Sequence, residues 1–306
     1  MTLFDWASDS VAAVRERGLI DGGKQSATEF YQGLFRQVGR RWNYGRYIYE
    51  YDWDLLIVLD ACRADLMAEV VEEYDFLTDQ AAYSSASSSG EWHRKNFTDA
   101  YADKMARTGL VSANPYTDMH VDESDFQLLD EVWQTEFDEE LGTIPADRVV
   151  DHTIEAHREV NPDRLVAHFM QPHYPFVPDS AINVGDGMAL GYDHTPWDTI
   201  WDALKHGEVD RDKVWDGYTD NLRYVLDHVE TLLENVDAER VVITADHGNL
   251  LGEWGLYAHP QYVPIRSLKH VPWVVTSATD SGEHITVTSD TGQVAVDDQL
   301  EALGYK

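Results

Sequence analysis

The sequence predicts an α/β fold, a doubly wound and mostly parallel sheet with helices on both faces. Three observations carry that expectation. The run Asp54-Leu-Leu-Ile-Val-Leu-Asp60 is apolar without alternation, as a strand buried on both faces must be. Strand-like and helix-like segments then alternate along the chain, the order that parallel crossovers require. Two of the strands end in acid, at Asp60 and at Asp246, and in open α/β sheets ligands bind beyond the carboxyl ends of the strands.

Taken in order, residues 1–50 are amphipathic and aromatic. Phe30, Leu34, Val38 and Trp42 recur at four-residue spacing behind Thr28, a candidate cap, which predicts a helix packing on the body. This N-terminal helical extension carries no visible chemistry, and the body spans 51–306 as one domain, without repeats or a composition break. A helix through about Tyr74 follows the Asp54–Asp60 strand. A strand near Phe76 to Tyr83 leads into the serine run Ser84-Ser-Ala-Ser-Ser-Ser89, and a helix opens at Gly90-Glu91-Trp92. Next come a strand at Leu110 to Ala113, a helix at about Ala146 to Glu159 and a strand at Leu165 to Met170. The stretch from Gln171 to about Val214, with Pro172, Pro175 and Pro178, is too long for an idle connection and reads as a substrate-side loop. A helix from Tyr218 to about Asn235, a strand at Arg240 to Ala245 and a strand at Val271 to Thr276 complete the body.

Composition narrows the function. With 56 acidic and 23 basic residues the net charge is −33, so a polyanion meets a surface of its own sign and nucleic acid is excluded as a partner. The chain is nonetheless 43% hydrophobic, with ten Trp and sixteen Tyr, enough for a packed core rather than disorder. The longest purely aliphatic run, Leu55 to Leu59, falls far short of the roughly 20 residues of a membrane span, and the start Met1-Thr-Leu-Phe-Asp5 lacks a basic leader. The expectation is a cytoplasmic protein without a transmembrane segment, and the single cysteine, Cys62, fits a reducing compartment. Acid spread along the whole chain reads as a halophilic surface, the other reading being an ordinary acidic protein.

The chemistry gathers in three places. The carboxylates of Asp60 and Asp246 and the imidazole of His247 form a donor set suited to Zn or Mn, with Gly248 allowing a tight turn after them. Asp-His-Gly also fits an Asp that caps a helix beside a buried His. Ser88 to Glu91 has capping-box spacing, which makes Ser88 the cap and leaves Ser87 just outside the positive end of the helix. A hydroxyl there can be activated by a metal and needs no separate base, although the same run also reads as a flexible polar loop.

As a set, Leu59-Asp60-Ala61-Cys62-Arg63-Ala64-Asp65, the serine before a helix, and Ala245-Asp246-His247-Gly248-Asn249-Leu-Leu-Gly252-Glu253-Trp-Gly255-Leu256-Tyr257 resemble the alkaline phosphatase and sulfatase superfamily. The nearest echoes are sulfatase-like proteins, lipoteichoic acid synthases and phosphoethanolamine transferases. The resemblance covers about residues 53–306, down to the ending Leu300-Glu-Ala-Leu303-Gly304-Tyr305. It implies an alkaline-phosphatase-like fold, Asp60, Asp246 and His247 as ligands of a divalent metal (Zn or Mn before Ca or Mg), and a serine nucleophile. Arg63 matches an arginine that holds the helix or an anionic oxygen. His173, in Gln171-Pro172-His173-Tyr174-Pro175-Phe176, and His259, in Leu256-Tyr-Ala-His259-Pro260, match histidines at the substrate, while His270 reads as structural. The implied substrate is a small-molecule, glycan-linked or lipid-linked phosphoester or sulfate ester.

The departures favour phosphorus. No Cys-x-Pro-x-Arg or serine equivalent occurs in Ser84 to Trp92, so the usual sulfatase nucleophile is missing, and Cys62 lies on the wrong turn to replace it. Ala61 stands where most sulfatases place a second acid, which weakens an all-oxygen calcium site. The leading expectation is a metal-dependent phosphoester hydrolase or transferase with Ser87 as nucleophile and Ser88 as the alternative register. A non-catalytic binding relative and a sulfatase using unmodified serine are the other readings. The charge generates a direct test: circular dichroism between 0.1 and 3 M salt should show structure lost at the low end, because screening shrinks from about 10 Å to about 3 Å only as salt nears 1 M. Full cooperative structure at 0.1 M would refute the halophilic reading.

Overall fold

The computed structural model describes residue 28, residues 30–183 and residues 199–288. Residues 30–41 form helix α1, followed by strand β1 (Leu55–Leu59), α2 (Ala64–Val70), β2 (Ala81–Tyr83) and α3 (Ser89–Asn96). The middle of the chain supplies α4 (Ala102–Met105), β3 (Thr108–Ser112), α5 (Tyr116–His120), β4 (Leu128–Asp130), α6 (Ala146–Glu159) and β5 (Arg164–Phe169). Then come α7 (Ile200–His206), α8 (Arg211–Leu233), β6 (Ala238–Thr244), β7 (Leu250–Leu251), β8 (Tyr257–Ala258), α9 (Arg266–Lys269) and β9 (His270–Ala278). Among the described residues seven strands make one sheet in the order β2-β9-β6-β1-β5-β3-β4.

The unbroken apolar run of β1 is explained by its place. It pairs in parallel with β5 on one side and β6 on the other, at the centre of the sheet. Leu55, Ile57 and Leu59 face a cluster that includes Leu66 of α2, Ile154 of α6 and Leu222 of α8. Leu56 and Val58 face the opposite cluster, around Tyr49, Trp53, Trp92 and Phe97. Both faces are therefore covered, as a parallel sheet requires. Only β9 runs antiparallel to its neighbours β6 and β2, so the fold is doubly wound, α/β and mostly parallel, as expected.

Register places the site. Val58 lies opposite Thr244 of β6 and His168 of β5. Two residues further along, β1 ends at Asp60 beside the end of β6 at Asp246. The chain winds to either side of β1, so this is also the point where strand order reverses.

Three expectations on the elements need correction. The extension does form a helix, but not with the predicted face inward: Phe30 (49%), Leu34 (56%), Val38 (38%) and Trp42 (61%) are exposed. The helix docks instead through Tyr31 and Phe35, which pack on Leu250, Leu256, Val263, Ile265 and Leu268, and through Gly39. A Cβ on Gly39 would lie 2.0 Å from the Tyr262 carbonyl oxygen, so glycine is what lets the backbones meet. Strand β2 is shorter than Phe76 to Tyr83, because the chain turns at residues 78–80, where Gln80 N–H donates to the Thr78 carbonyl (2.9 Å). Helix α8 begins seven residues before Tyr218, capped by Asp210, whose carboxylate accepts from the N–H groups of Asp212 and Lys213. Gly217, which interrupts the apolar pattern, sits inside this helix, where a Cβ would lie 2.4 Å from Ile182 and 2.9 Å from Phe176. The stretch read as a loop also holds α7, while its residues 184–198, the first 27 residues and the ending Leu300 to Tyr305 lie outside the described residues.

Beneath β4, buried His152 bridges two acids, with Nδ1 2.7 Å from Asp130 Oδ2 and Nε2 3.4 Å from Glu136 Oε1. Burial by itself would lower its pKa, but the bond and charge of Asp130, and then those of Glu136, raise it above the ordinary histidine value. A raised folded-state pKa stabilises fully below the unfolded value of about 6.5 and is lost as pH climbs through the folded value. His152→Gln should therefore lower the melting temperature more at pH 5.5 than at pH 9. An equal deficit at both pH values would refute the linkage.

Candidate active site

Asp60 and Asp246 are each 0% exposed, as is His247, and one donor atom from each lies within 4.8 Å of the others. These are the three residues named from sequence as ligands. Backbone and side chains set their angles. Ala61 N–H (3.0 Å) and His247 N–H (2.8 Å) both donate to Asp246 Oδ1, and Asn114 Nδ2 donates to Asp60 Oδ2 at 2.7 Å. Asp246 Oδ2, in contrast, is buried and accepts no hydrogen bond among the described residues. His247 Nδ1 lies 2.8 Å from the Gly248 carbonyl, which can only accept, so Nδ1 carries a hydrogen and Nε2 is the nitrogen turned to the carboxylates. Gly248 is needed for a reason other than the tight turn: a Cβ there would lie 2.2 Å from the Ser267 carbonyl oxygen.

Two buried carboxylates without a cation are costly. Asn114 and Ser89, which hydrogen-bond Asp60, are neutral, and no Lys or Arg among the described residues pairs with Asp246. His168 of β5 stands behind both, its Nε2 3.9 Å from each, and stacks on His93. Burial pushes the His168 pKa down to about 4 and, with the charge of His168, that of His93 to about 3, so both rings are neutral at pH 7. An imidazole nitrogen and two carboxylates converging on one point, with an excess negative charge, fit a divalent metal.

The serine run resolves differently from its sequence register. Ser88 is at the N-cap of α3 with extended backbone, but its side chain makes no capping bond, and its buried Oγ has no hydrogen-bond partner among the described residues. Glu91 reaches one residue further back. Its Oε2 accepts from Ser87 N–H (3.2 Å), from Ser87 Oγ (2.9 Å) and from Tyr262 N–H (2.8 Å). The Ser87 hydroxyl also meets the Pro260 carbonyl (3.0 Å) and accepts from Val263 N–H (3.1 Å), so it is spent in holding the 260–263 segment and does not touch the three ligands. The hydroxyl that does so belongs to Ser89, the first residue of α3. Its Oγ lies 3.2 Å from Asp60 Oδ2 and 3.1 Å from His247 Nε2.

The remaining candidates divide. His173 and His259 come together, Nε2 to Nε2 at 3.0 Å, and the His259 ring stacks on His247 at 4.7 Å. Burial, then the charge of His247, lowers the His173 pKa to about 4, and the same causes lower that of His259. Arg63, in contrast, is committed elsewhere: it donates to Asp65 (2.8 and 2.6 Å), to Glu253 (2.6 Å) and to the Asn249 carbonyl (2.9 Å). It straps the 249–253 segment to α2. Cys62 is buried, its thiol pushed up by desolvation, and takes no part. Sequence reading left the register among Ser87, Ser88 and Ser89 open while favouring Ser87, and did not single out Asn114 or His168. For His168 there was a signal, a polar residue in the middle of an otherwise apolar strand.

No protein-family model matches the chain, and no curated protein matches its sequence. Solved structures do match. The integral membrane protein lipooligosaccharide phosphoethanolamine transferase A from Neisseria meningitidis aligns at 15% identity with a TM-score of 0.47, over 75% of this chain and 48% of that one. The chain thus spans about half the length of that protein. The C-terminal periplasmic domain of phosphoethanolamine transferase EptC from Campylobacter jejuni aligns at 13% identity and TM-score 0.45, over 73% of this chain and 78% of that one. The C-terminal periplasmic domain of EcEptC from Escherichia coli, solved in complex with Zn, aligns at 12% and 0.46, over 78% and 76%. No helix among the described residues is long and apolar enough to cross a membrane. The solved structures to which this chain is similar thus include phosphoethanolamine transferases, one of the groups its sequence motifs resemble.

Proposed function

We propose that the chain is a metal-dependent hydrolase or transferase of a phosphoester, of the alkaline phosphatase and sulfatase type, with Ser89 as nucleophile. The observation that carries this reading is the Ser89 hydroxyl within hydrogen-bond distance of both Asp60 and His247, at the amino end of α3. Asp60, Asp246 and His247 would hold the ion, zinc or manganese by their mixed nitrogen and oxygen donors. A bound divalent cation lowers the pKa of a neighbouring hydroxyl and offsets charge on the transferred group.

The rest falls to the chain itself. Asp60, whose Oδ2 lies 3.2 Å from the Ser89 hydroxyl, takes up the serine proton as the serine oxygen bonds to phosphorus, and the departing ester oxygen takes a proton from solvent. The positive end of α3 would meet the phosphoryl oxygens, and the His173 and His259 pair, stacked beside His247, would contact the transferred group or the leaving group. Water or an acceptor alcohol then releases the phosphoserine, which makes the outcome hydrolysis or transfer.

Two experiments test this. Asp246→Asn keeps an acceptor for the Ala61 and His247 N–H groups while removing the charge, so it should lose bound metal and activity together with the fold intact; unchanged metal content by elemental analysis would refute the ligand set. Ser89→Ala should abolish the phosphoryl-enzyme seen by mass spectrometry after acid quench and cut turnover by at least ~10³-fold. Ser87→Ala should instead cost stability, about 1–3 kcal/mol for its buried bonds, and keep the adduct. Phosphate found on Ser87 or Ser88, or turnover surviving in Ser89→Ala, would overturn the assignment.

A further inference from the structure

A pocket of about 530 Å³ opens beside the site, lined among others by Arg36, Arg40, Ser88, Tyr116, His259 and Tyr262. Its rim is anomalous for this protein. Although acids outnumber bases 56 to 23 along the chain, neither Arg36 nor Arg40 makes an ion pair among the described residues. Arg94, next to them, spends its guanidinium on neutral partners: His120 (3.1 Å), Gln261 (3.0 Å) and the Tyr262 hydroxyl (3.1 Å). Arg40 and Arg94 both lie over the Tyr262 ring, at 5.1 and 5.8 Å. Partial burial and the charge of Arg40 lower the pKa of Arg36, so the two guanidiniums repel one another.

Like charges held together where carboxylates are abundant need an anion to offset them, and arginine is the side chain suited to bidentate contact with phosphate. The placement is built into the backbone, since Gly39 seats α1 against Tyr262 and so aims Arg36 and Arg40 at the pocket. The Ser88 hydroxyl, buried and without a hydrogen-bond partner among the described residues, lines the same space. Ser89 is the next residue along.

We propose that Arg36, Arg40 and Arg94 form a second anion subsite, so that the substrate is a phosphoester with a further phosphate-like group on the part that is not transferred. This rests on the phosphoester reading of the Ser89 site. It adds that α1, outside the region of family resemblance, selects the substrate.

The test compares hexyl phosphate with hexane-1,6-diol bisphosphate, which differ by one phosphate, using the full chain at a salt concentration where it is folded. By calorimetry on the metal-loaded Ser89→Ala protein, the bisphosphate should bind at least tenfold more tightly than the monophosphate. Adding Arg36→Gln and Arg40→Gln should erase that ratio and either one alone should lower it, whereas Arg41→Gln, the same change of charge as either single variant on the same helix but off the pocket, should keep it. Equal affinities in the Ser89→Ala background, or a ratio that survives loss of both arginines, would overturn the subsite. Phosphate release from either ester by the unmutated protein is scored separately. Its failure with every metal would count against the Ser89 chemistry, while the binding ratio would still decide the subsite.

Discussion

The arrangement depends on holding two carboxylates in the middle of a protein. Asp60 and Asp246 are buried at the ends of adjacent parallel strands, where the pairing of β1 with β6 leaves them no choice but to be neighbours. Like charges so close in a medium of low permittivity are unfavourable by several kcal/mol per ion unless something positive stands between them. The surroundings answer that cost only in part, with N–H groups of Ala61 and His247 on one carboxylate and Asn114 on the other. Burial disfavours the charged forms of His168, His173 and His259, so these imidazoles do little to offset the two carboxylates, as a divalent cation would. Arg63, the one buried arginine close in sequence, is withheld by Asp65 and Glu253, which preserves the vacancy in charge instead of filling it.

The second organising group is Glu91. It binds Ser87 and Tyr262 through one carboxylate oxygen and Lys95 through the other, and so ties the start of α3 to the 260–263 segment. That one-residue change of reach decides which serine is available. Glu91 holds Ser87 instead of closing on Ser88, which leaves Ser87 tied to the 260–263 segment while Ser89, the first residue of the helix, presents its hydroxyl to Asp60 and His247.

This is also where sequence legibility stops. The central strand, the alternation of elements and the convergence of Asp60, Asp246 and His247 were readable, since each follows from burial on two faces or from the place where strands end. The serine register was not, because three consecutive hydroxyls differ only in the torsion of the backbone that carries them, and a capping motif has the same letters whether it closes on Ser88 or Ser87. The packing face of α1 was misread for a related reason. Phe30, Leu34, Val38 and Trp42 form the more obvious stripe, but a helix packs where its backbone can approach, and Gly39 lies on the other side. Asn114 was invisible, being a single amide reached through a parallel strand two places away from β1.

A net charge of −33 poses a last problem for the proposed phosphoester chemistry, because such an anion would have to approach a strongly acidic protein. The answer lies in distance. Screening removes the field of charges more than about 8 Å away at physiological ionic strength, and beyond about 3 Å at molar salt, so the bulk of the acidic surface is felt weakly at the pocket. What remains are groups at contact range, and there the sign reverses: Arg36 and Arg40 at the rim, Arg94 behind Gln261 and Tyr262, and the amino end of α3. Direct guanidinium contacts to an anion survive screening far better than a diffuse potential does. On the proposed reading, the salt that would relieve the surface of its self-repulsion would also hide that surface from an anionic substrate, leaving recognition to a few arginines on α1 and α3.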